Sequence, residues 1–208
     1  MVKIKGPMLS PTASGTIGQA ATFSSWKGRA YARKKSKPAD PHAPLQIAAR
    51  AMFQFLTQAW PNLPQPHRDT WNAAALAADI TAISAYCRHN LQLWGQFKAP
   101  YQFIHTPPFH IANSGTLDSA TGGPNRITLA FTTTSIVNIW GVTLFRSAVP
   151  AFTPSLTNCI GVIPTPLNKT YSYQDTPPAP GTWYYNARWF GLYGTLEPIE
   201  TERSATST

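Results

Sequence analysis

Charged side chains are scarce in this chain, and acidic ones most of all. Only 12 % of the 208 residues are charged, and only eight are Asp or Glu; ordinary soluble domains carry about 25 % charged residues. An enzyme site needs several titratable groups that converge, and so small a set of carboxylates disfavours one. We therefore expect no hydrolase or transferase activity, no catalytic residues and no cofactor.

Cysteine is equally scarce. Cys87 and Cys159 lie in unrelated sequence contexts, so they predict neither a disulfide framework nor a metal site, and each is expected to be a buried free thiol. Cys87 and His89 are two residues apart on a predicted helix and therefore point to different sides of it. His105 and His110 could bind a metal only with ligands from elsewhere, so no metal site is expected.

Long apolar runs are absent as well. No stretch of about 18 apolar residues occurs, which predicts no membrane span and no membrane partner, and the first seven residues lack the apolar segment of a secretory signal. Aromatic residues, by contrast, are abundant, with seven Trp, eight Tyr and ten Phe. A chain with an aromatic core and so few surface charges is kept soluble more easily when neighbouring subunits cover it, which favours a homo-oligomer or a larger assembly.

The positive charge is local. Residues 1–50 contain nine Lys or Arg and one Asp, a net charge of +8, whereas the remaining 158 residues contain eight Lys or Arg and seven acidic residues, a net charge of +1. This distribution predicts a basic arm and not a basic domain.

Residues 15–38 predict two short strands joined by a tight turn at positions 26–29. Gly28 is the residue best able to adopt the positive φ that such a turn requires. Aromatic residues lie on both strands and a basic run follows the second, so the ribbon needs a partner to cover it. The predicted subunit interface consists of Phe23, Trp26, Lys27, Gly28, Arg29, Tyr31, Arg33, Lys34, Lys35 and Lys37.

Beyond the arm, the spacing of the apolar residues is first typical of helices and then typical of strands. From Leu45 apolar residues recur at three- and four-residue steps, which predicts a helix that stops at Pro61. A second helix, capped by Asp69 or Thr70, is predicted to run with a kink to about Gly95, and its two adjoining apolar stripes predict packing on more than one side. Around residues 127–131, 139–145, 171–173 and 183–189 the pattern predicts short strands of an antiparallel sandwich.

The predicted fold class is therefore α+β. The expected parts are an extended basic arm with a β-hairpin (1–44), a helical domain (45–99), a linker (100–123), an antiparallel β-sandwich (124–199) and a flexible tail (200–208). Because a linker rich in Pro and Gly separates the helical segment from the strands, residues 107–208 are expected to fold alone.

Residues 177–188, PPAPGTWYYNAR, resemble the end of a fibronectin type III-like domain, where a Pro-Gly turn precedes an aromatic strand with a buried Tyr. The resemblance covers residues 124–199. It implies that the sandwich is of the fibronectin type III or immunoglobulin-like kind.

The N-terminal half is similar to small proteins encoded in the structural regions of tailed phages and prophages. Their pattern is a Gly-rich start, an aromatic and basic hairpin, a Lys-Pro pair, and then Gln and Arg on a helix. It is carried here by Gly15-Thr16-Ile17-Gly18, Phe23, Trp26-Lys27-Gly28, Arg33, Lys37-Pro38, Gln46, Arg50, Phe53, Arg68, Trp71, Ala75 and Asn90. The resemblance implies a structural virion protein, made in the host cytoplasm, that acts as a minor capsid, decoration or head-to-tail component. Its partners would be other virion proteins and copies of itself, contacted through the N-terminal arm.

The alternative is a DNA-binding or packaging protein that uses the basic arm. Lys35 and Lys37, with the neighbouring basic and aromatic residues, could neutralise phosphates and stack on bases. So few charges would bind only weakly and in a salt-sensitive manner, and no predicted helix is rich in basic residues. Subunit docking is therefore the preferred interpretation; a secreted adhesion module is a third, against which the missing signal segment counts.

Overall fold

The computed structural model describes residues 2–3, 15–17, 21–26, 29–34, 43–104, 115–133, 139–165, 170–192, 194, 196 and 201–208. The chain divides into two compact units, Met1–Pro41 and His42–Thr208. Among the described residues, three α-helices accompany antiparallel sheets. The predicted α+β class with a C-terminal β-sandwich is therefore confirmed.

The first unit contains a four-stranded antiparallel sheet, called here the N-terminal sheet. Its strands are β1 (Val2–Lys3), β2 (Gly15–Ile17), β3 (Ala21–Trp26) and β4 (Arg29–Lys34), in the order β1-β4-β3-β2. Strands β3 and β4 pair with Trp26 opposite Arg29, as expected for the two arms of a hairpin. The predicted turn residues Lys27 and Gly28 lie outside the described residues. Because β1 pairs with β4 and β2 with β3, the ribbon is the centre of a wider sheet than the sequence predicts.

The second unit begins with helices α1 (Pro44–Ala59), α2 (Gln65–Ala78) and α3 (Ala82–Gly95), with a 3₁₀ turn at Trp60–Asn62 between the first two. The start of α2 differs from the prediction of a cap at Asp69 or Thr70, which lie inside the helix. The helix instead begins with a proline in its first turn, where the missing amide hydrogen needs no partner. Asp69 accepts hydrogen bonds from other side chains of α2, and the Thr70 hydroxyl donates to a carbonyl of the preceding turn.

The predicted single kinked helix is in fact two helices, α2 and α3. Asp79 adopts a left-handed conformation, with φ of 52° and ψ of 45°, which ends α2. Thr81 then caps α3 by accepting a hydrogen bond from the amide of Ser84 at 3.3 Å. The predicted end at Gly95 agrees with the structure.

The sandwich contains seven described strands in two antiparallel sheets. They are β5 (Gly115–Gly123), β6 (Arg126–Thr133), β7 (Ile139–Ser147), β8 (Cys159–Pro164), β9 (Thr170–Asp175), β10 (Gly181–Gly191) and β11 (Arg203–Ser207). The outer sheet has the order β5-β6-β9 and the central sheet the order β11-β10-β7-β8. Seven antiparallel strands in two sheets are the architecture shared by immunoglobulin and fibronectin type III domains. Between the sheets lie Leu117, Ile127, Leu129, Phe131, Val142, Leu144, Tyr185, Ala187 and Trp189.

Two strands occupy segments for which the sequence predicts no regular structure. Strand β5 lies within the predicted linker 100–123, and β11 lies within the predicted flexible tail 200–208. Strand β11 pairs with β10 from Tyr185 opposite Arg203 to Gly181 opposite Ser207. Gly122 of β5 lies so close to the carbonyl of Thr206 in β11 that a side chain would not fit there. Gly122, one of the glycines that suggest a linker, therefore allows two strands to approach each other.

The helices pack against the central sheet and share its core. Phe55 of α1 meets the rings of Trp140 and Phe190 edge-on, with centroid distances of 4.9 and 5.3 Å. Phe145 and Cys159 join the same cluster. The central sheet is thus covered by the outer sheet on one side and by helices on the other. The helical segment 45–99 and the sandwich 124–199, which the sequence divides into separate domains, belong here to one compact unit with continuous packing.

Candidate functional site

The described part of the predicted interface lies on the paired strands β3 and β4. Phe23 and Trp26 belong to β3, and Arg29, Tyr31, Arg33 and Lys34 belong to β4. Phe23 is half-buried, whereas Arg33 and Lys34 are exposed. The remaining predicted residues, Lys27, Gly28, Lys35 and Lys37, lie outside the described residues. That these residues contact a partner stays a prediction.

Arg33 and Lys34 place positive charge on both sides of the ribbon. They are successive residues of one strand, and successive side chains of a strand point to opposite faces. Arg33 lies opposite Thr22 and Lys34 opposite Ala21 on β3. Both cations are exposed, so each face of this end of the ribbon carries a positive charge.

The counter-charge for this ribbon is scarce within the chain itself. Residues 1–41 contain eight Lys or Arg and one Asp, and residues 42–208 contain nine Lys or Arg and seven acidic residues. Both units are therefore net positive.

The helices leave an apolar surface open, contrary to the prediction that the second helix is buried on more than one side. The stripe formed by Trp71, Ala75 and Tyr86 is buried, but Leu76 is 84 % exposed and Ile83 is also exposed. Among the described residues, this wide apolar face is thus only partly buried.

The thiols are poorly suited to nucleophilic chemistry. Burial raises the pKa of Cys87, and it raises the pKa of Cys159 to about 12, although a hydrogen bond to the backbone of Gly161 acts in the opposite direction. Both thiols are therefore protonated at neutral pH. His89 lies on the exposed side of α3, while His105 and His110 lie outside the described residues. Within the described ranges, no three His, Cys, Asp or Glu residues are grouped as a metal site would need.

A buried charged cluster joins the two sheets of the sandwich. Asp175, at the end of β9, accepts hydrogen bonds from Arg146 Nη1 at 2.7 and 2.8 Å and from Tyr185 Oη at 2.7 Å. The Arg146 guanidinium also lies 5.0 Å from the ring centre of Trp183. Burial, strengthened by the hydrogen bond to Asp175, raises the pKa of Tyr185. The sequence places Asp175 in a turn, and no local pattern could have paired it with residues 29 positions before and 10 positions after it.

A cavity of about 460 Å³ lies where α1 and the following 3₁₀ turn meet the central sheet near the end of β8. We call it the α1–β8 cavity. Sequence reasoning does not find it, because its walls come from four separate parts of the chain. It is lined by Phe55, Gln58, Ala59, Asn62, Leu63, Gln102, Ile139, Trp140, Pro164 and Thr165. None of these side chains is charged.

Comparison with known proteins gives partial structural similarities. No protein-family model matches the chain, and no curated protein matches it. A β-1,2-glucanase from Parabacteroides distasonis is similar with a TM-score of 0.39 and 16 % identity, over 50 % of this chain and 14 % of the glucanase. An Fn3-like protein from Clostridium thermocellum is similar with a TM-score of 0.35 and 19 % identity, over 49 % of this chain and 94 % of that protein. The soluble domain of PmoD from Methylocystis sp. ATCC 49242 (Rockwell) gives a TM-score of 0.28 and 13 % identity, over 42 % of this chain and 77 % of that domain.

This chain thus spans only a small share of the glucanase. The strand pairing described above, and not these similarities, establishes the β-sandwich. No helix among the described residues is long and apolar enough to span a membrane.

Proposed function

We propose that this protein is a non-catalytic structural protein of a tailed-phage virion that docks on neighbouring subunits through its N-terminal sheet. The observation that carries the proposal is the ribbon β3–β4, which belongs to a compact unit separate from the sandwich and exposes a cation on each face. A strand-bearing element of this kind can bind by adding its strands to a sheet edge or by entering a groove between two proteins.

Charge on both faces favours a groove over a flat anionic surface. A ribbon inserted between two proteins is contacted on both sides, so Arg33 and Lys34 can each meet a carboxylate. A ribbon lying on a nucleic acid would use the cations of one face only. Because both units of this chain are net positive, the acidic groups would come mainly from other virion proteins.

The fibronectin type III-like sandwich would serve in this proposal as a surface or contact module. The exposed apolar residues of α2 and α3 offer further area that neighbouring subunits could cover. Minor capsid, decoration and head-to-tail roles all fit this arrangement.

The proposal is tested by incorporation of variants into particles assembled in the host. Full burial of a large aromatic side chain is worth about 1.5–3 kcal/mol, whereas an exposed charge contributes little. Trp26→Ala should therefore reduce the copies per particle more than Lys34→Ala and Lys35→Ala combined. Lys98→Ala, an exposed lysine of the second unit, serves as the control and should be incorporated like the wild type. Quantitative mass spectrometry of gradient-purified particles provides the measurement.

The opposite ranking would overturn subunit docking. If the double lysine change abolished incorporation while Trp26→Ala had no effect, charge would be the main contribution. Tight binding of the purified protein to DNA that collapses with added salt would then support the nucleic-acid alternative.

A further inference from the structure

An open apolar groove lies on the second unit where α2 and α3 meet. We call it the α2–α3 groove. Its volume is about 210 Å³, and its apolar walls include Ala74, Ala78, Ile80, Ala85 and Ile104. Ile80 is 36 % exposed and Ile104 is 45 % exposed, so the described residues leave the groove open to solvent. An apolar cavity of about 150 Å³ is large enough to hold benzene, so this groove has room for an aliphatic side chain.

The groove carries a cation and no acidic residue. Arg88 of α3 lines it and is exposed, and its guanidinium has no ion pair or hydrogen bond with any described residue. The groove therefore fits an aliphatic side chain that has a carboxylate beside it.

The opposite side of α2 carries a ridge that Leu76 dominates, with 84 % of this residue exposed. Because Leu76 is two positions away from both Ala74 and Ala78 on the helix, it points about 160° away from the groove. Three further exposed residues share this side of α2 with it. We call the four together the Leu76 ridge: Asp69, Asn72, Ala73 and Leu76.

Carboxylates flank Leu76 on this ridge. Asp79 is exposed, and its backbone amide donates to the carbonyl of Leu76 at 3.4 Å, which places the two residues within one turn of each other. The Asp79 side chain has no ion pair with any described residue. Asp69 lies two turns before Leu76 on the same side. The ridge thus presents an aliphatic side chain beside acidic groups, which is the chemistry that the groove fits.

Only a second copy of the chain can bring these two surfaces together, because within one molecule they lie on opposite sides of the same helix. We propose that copies of this protein associate head-to-tail, with Leu76 of one copy in the α2–α3 groove of the next and Asp79 paired with Arg88. Each contact leaves one ridge and one groove unoccupied, so the association repeats into a ring or a chain. This inference goes beyond the docking of the N-terminal sheet and does not depend on it.

Sedimentation velocity of the full chain over a range of concentrations tests the contact. The wild type should form species larger than a dimer, and their share should grow with concentration. Leu76→Gln should weaken this self-association at least about tenfold, as expected for the loss of one buried aliphatic side chain. Val149→Gln is the matched control, because it also removes an exposed aliphatic side chain, 65 % exposed on the turn after β7. It should associate like the wild type.

Mixing two defective variants tests the head-to-tail arrangement. Ala78→Glu fills the groove and places a negative charge in it but leaves the ridge intact, whereas Leu76→Gln damages the ridge but leaves the groove intact. Neither variant should associate alone. An equimolar mixture should form a heterodimer and nothing larger, because only one usable ridge and one usable groove remain. Ala78 and Leu76 are exposed, so the urea midpoints of both variants should stay close to that of the wild type.

A double-variant comparison tests the ion pair. Asp79→Asn and Arg88→Gln should each weaken self-association about two- to fivefold at low salt. The variant that carries both changes should be no weaker than either single variant, because both changes remove the same pair. Asparagine tolerates the left-handed conformation of residue 79, so the helix end is kept.

A wild type that stays monomeric at every concentration would overturn the inference, as would a wild type that stops at the dimer, which indicates a two-fold contact. Equal weakening by Leu76→Gln and Val149→Gln, or a mixture that forms no heterodimer, would overturn it too. Normal incorporation into particles together with any of these results would remove the head-to-tail contact and leave the proposed function standing.

Discussion

Two fully buried tyrosines differ in whether their hydroxyls find a partner. The Tyr185 hydroxyl donates to Asp175, whereas the Tyr86 hydroxyl has no partner within the described residues. Tyr185→Phe should lower the free energy of unfolding by about 1.5–3 kcal/mol, since the lost hydrogen bond is to a charged group. Tyr86→Phe should leave the free energy of unfolding unchanged or raise it. Urea unfolding of both variants measures the difference, and equal losses in both would contradict the structure.

The same burial predicts a loss of stability in alkaline solution. Burial raises the pKa of Tyr86, Tyr185 and Cys159, so these groups stay protonated when the chain is folded. In the unfolded chain tyrosine and cysteine ionise near pH 10 and about pH 8.5. The folded state then binds more protons than the unfolded state, and the free energy of unfolding falls as the pH rises above about 8.5. Urea midpoints between about pH 7 and about pH 11 should show this decline.

Tyr86→Phe provides the matched variant for this pH dependence. It removes one of the groups whose pKa is raised without removing a hydrogen bond seen in the structure. Its urea midpoint should therefore decline less steeply above about pH 10 than that of the wild type. A decline of equal slope would show that Tyr86 does not contribute.

At the scale of elements, two residues define the break between α2 and α3, and replacing them should change the stability in opposite directions. Thr81 caps α3, and its replacement by Ala should cost about 1 kcal/mol in the free energy of unfolding. Asp79 is in a left-handed conformation that glycine adopts without strain, so Asp79→Gly should be stabilising by about 0.5–1 kcal/mol. Thermal or urea unfolding tests both. If Asp79→Gly lowered the free energy of unfolding more than Thr81→Ala does, the left-handed conformation of Asp79 would be contradicted.

The elements also show what a sequence of this kind can predict. Helix α1 and strands β6, β7, β9 and β10 are predicted from the spacing of their apolar residues. The apolar side chains of α1 and β6 bury a regular face, whereas β7 is buried along Ile139–Phe145 and Tyr171 and Tyr173 of β9 are only half-buried. Strand β11, with the sequence RSATS, has no such face. Its position comes from backbone pairing with β10, which no local pattern can reveal.

The candidate sites also differ in whether the sequence alone could predict them. The basic ribbon is local in the sequence, and its described residues lie on paired strands as predicted. The α1–β8 cavity and the contacts of Asp175 join residues far apart in the chain, and the amide and hydroxyl residues that line the cavity are common surface residues. Gln58 and Asn62 remain exposed in the folded chain, so only their position beside the cavity sets them apart.

At the scale of the whole molecule, the helices and the sandwich depend on each other. Residues 107–208 alone would expose Trp140, Phe145 and Phe190, which α1 and its neighbours cover in the complete unit. We therefore expect residues 42–208 to unfold in a single cooperative transition. Contrary to the expectation from the sequence that residues 107–208 fold alone, we expect that fragment to aggregate or to melt without cooperativity. Circular dichroism melts of both fragments provide the comparison. A cooperative, strand-type melt of 107–208 would show that the sandwich needs no helices.

The covered central sheet has a consequence for backbone dynamics. Strands β7 and β10 have a strand on each edge, an apolar layer on each face and hydrogen-bond partners along both sides. Their amide hydrogens can reach solvent only when the whole unit opens, so they should be the slowest to exchange with deuterium. The amides of β5 and β9, at the edges of the outer sheet, should exchange through smaller openings and therefore sooner. Hydrogen exchange should thus proceed from the outer sheet inwards, and the amides of β7 and β10 should be the last to exchange.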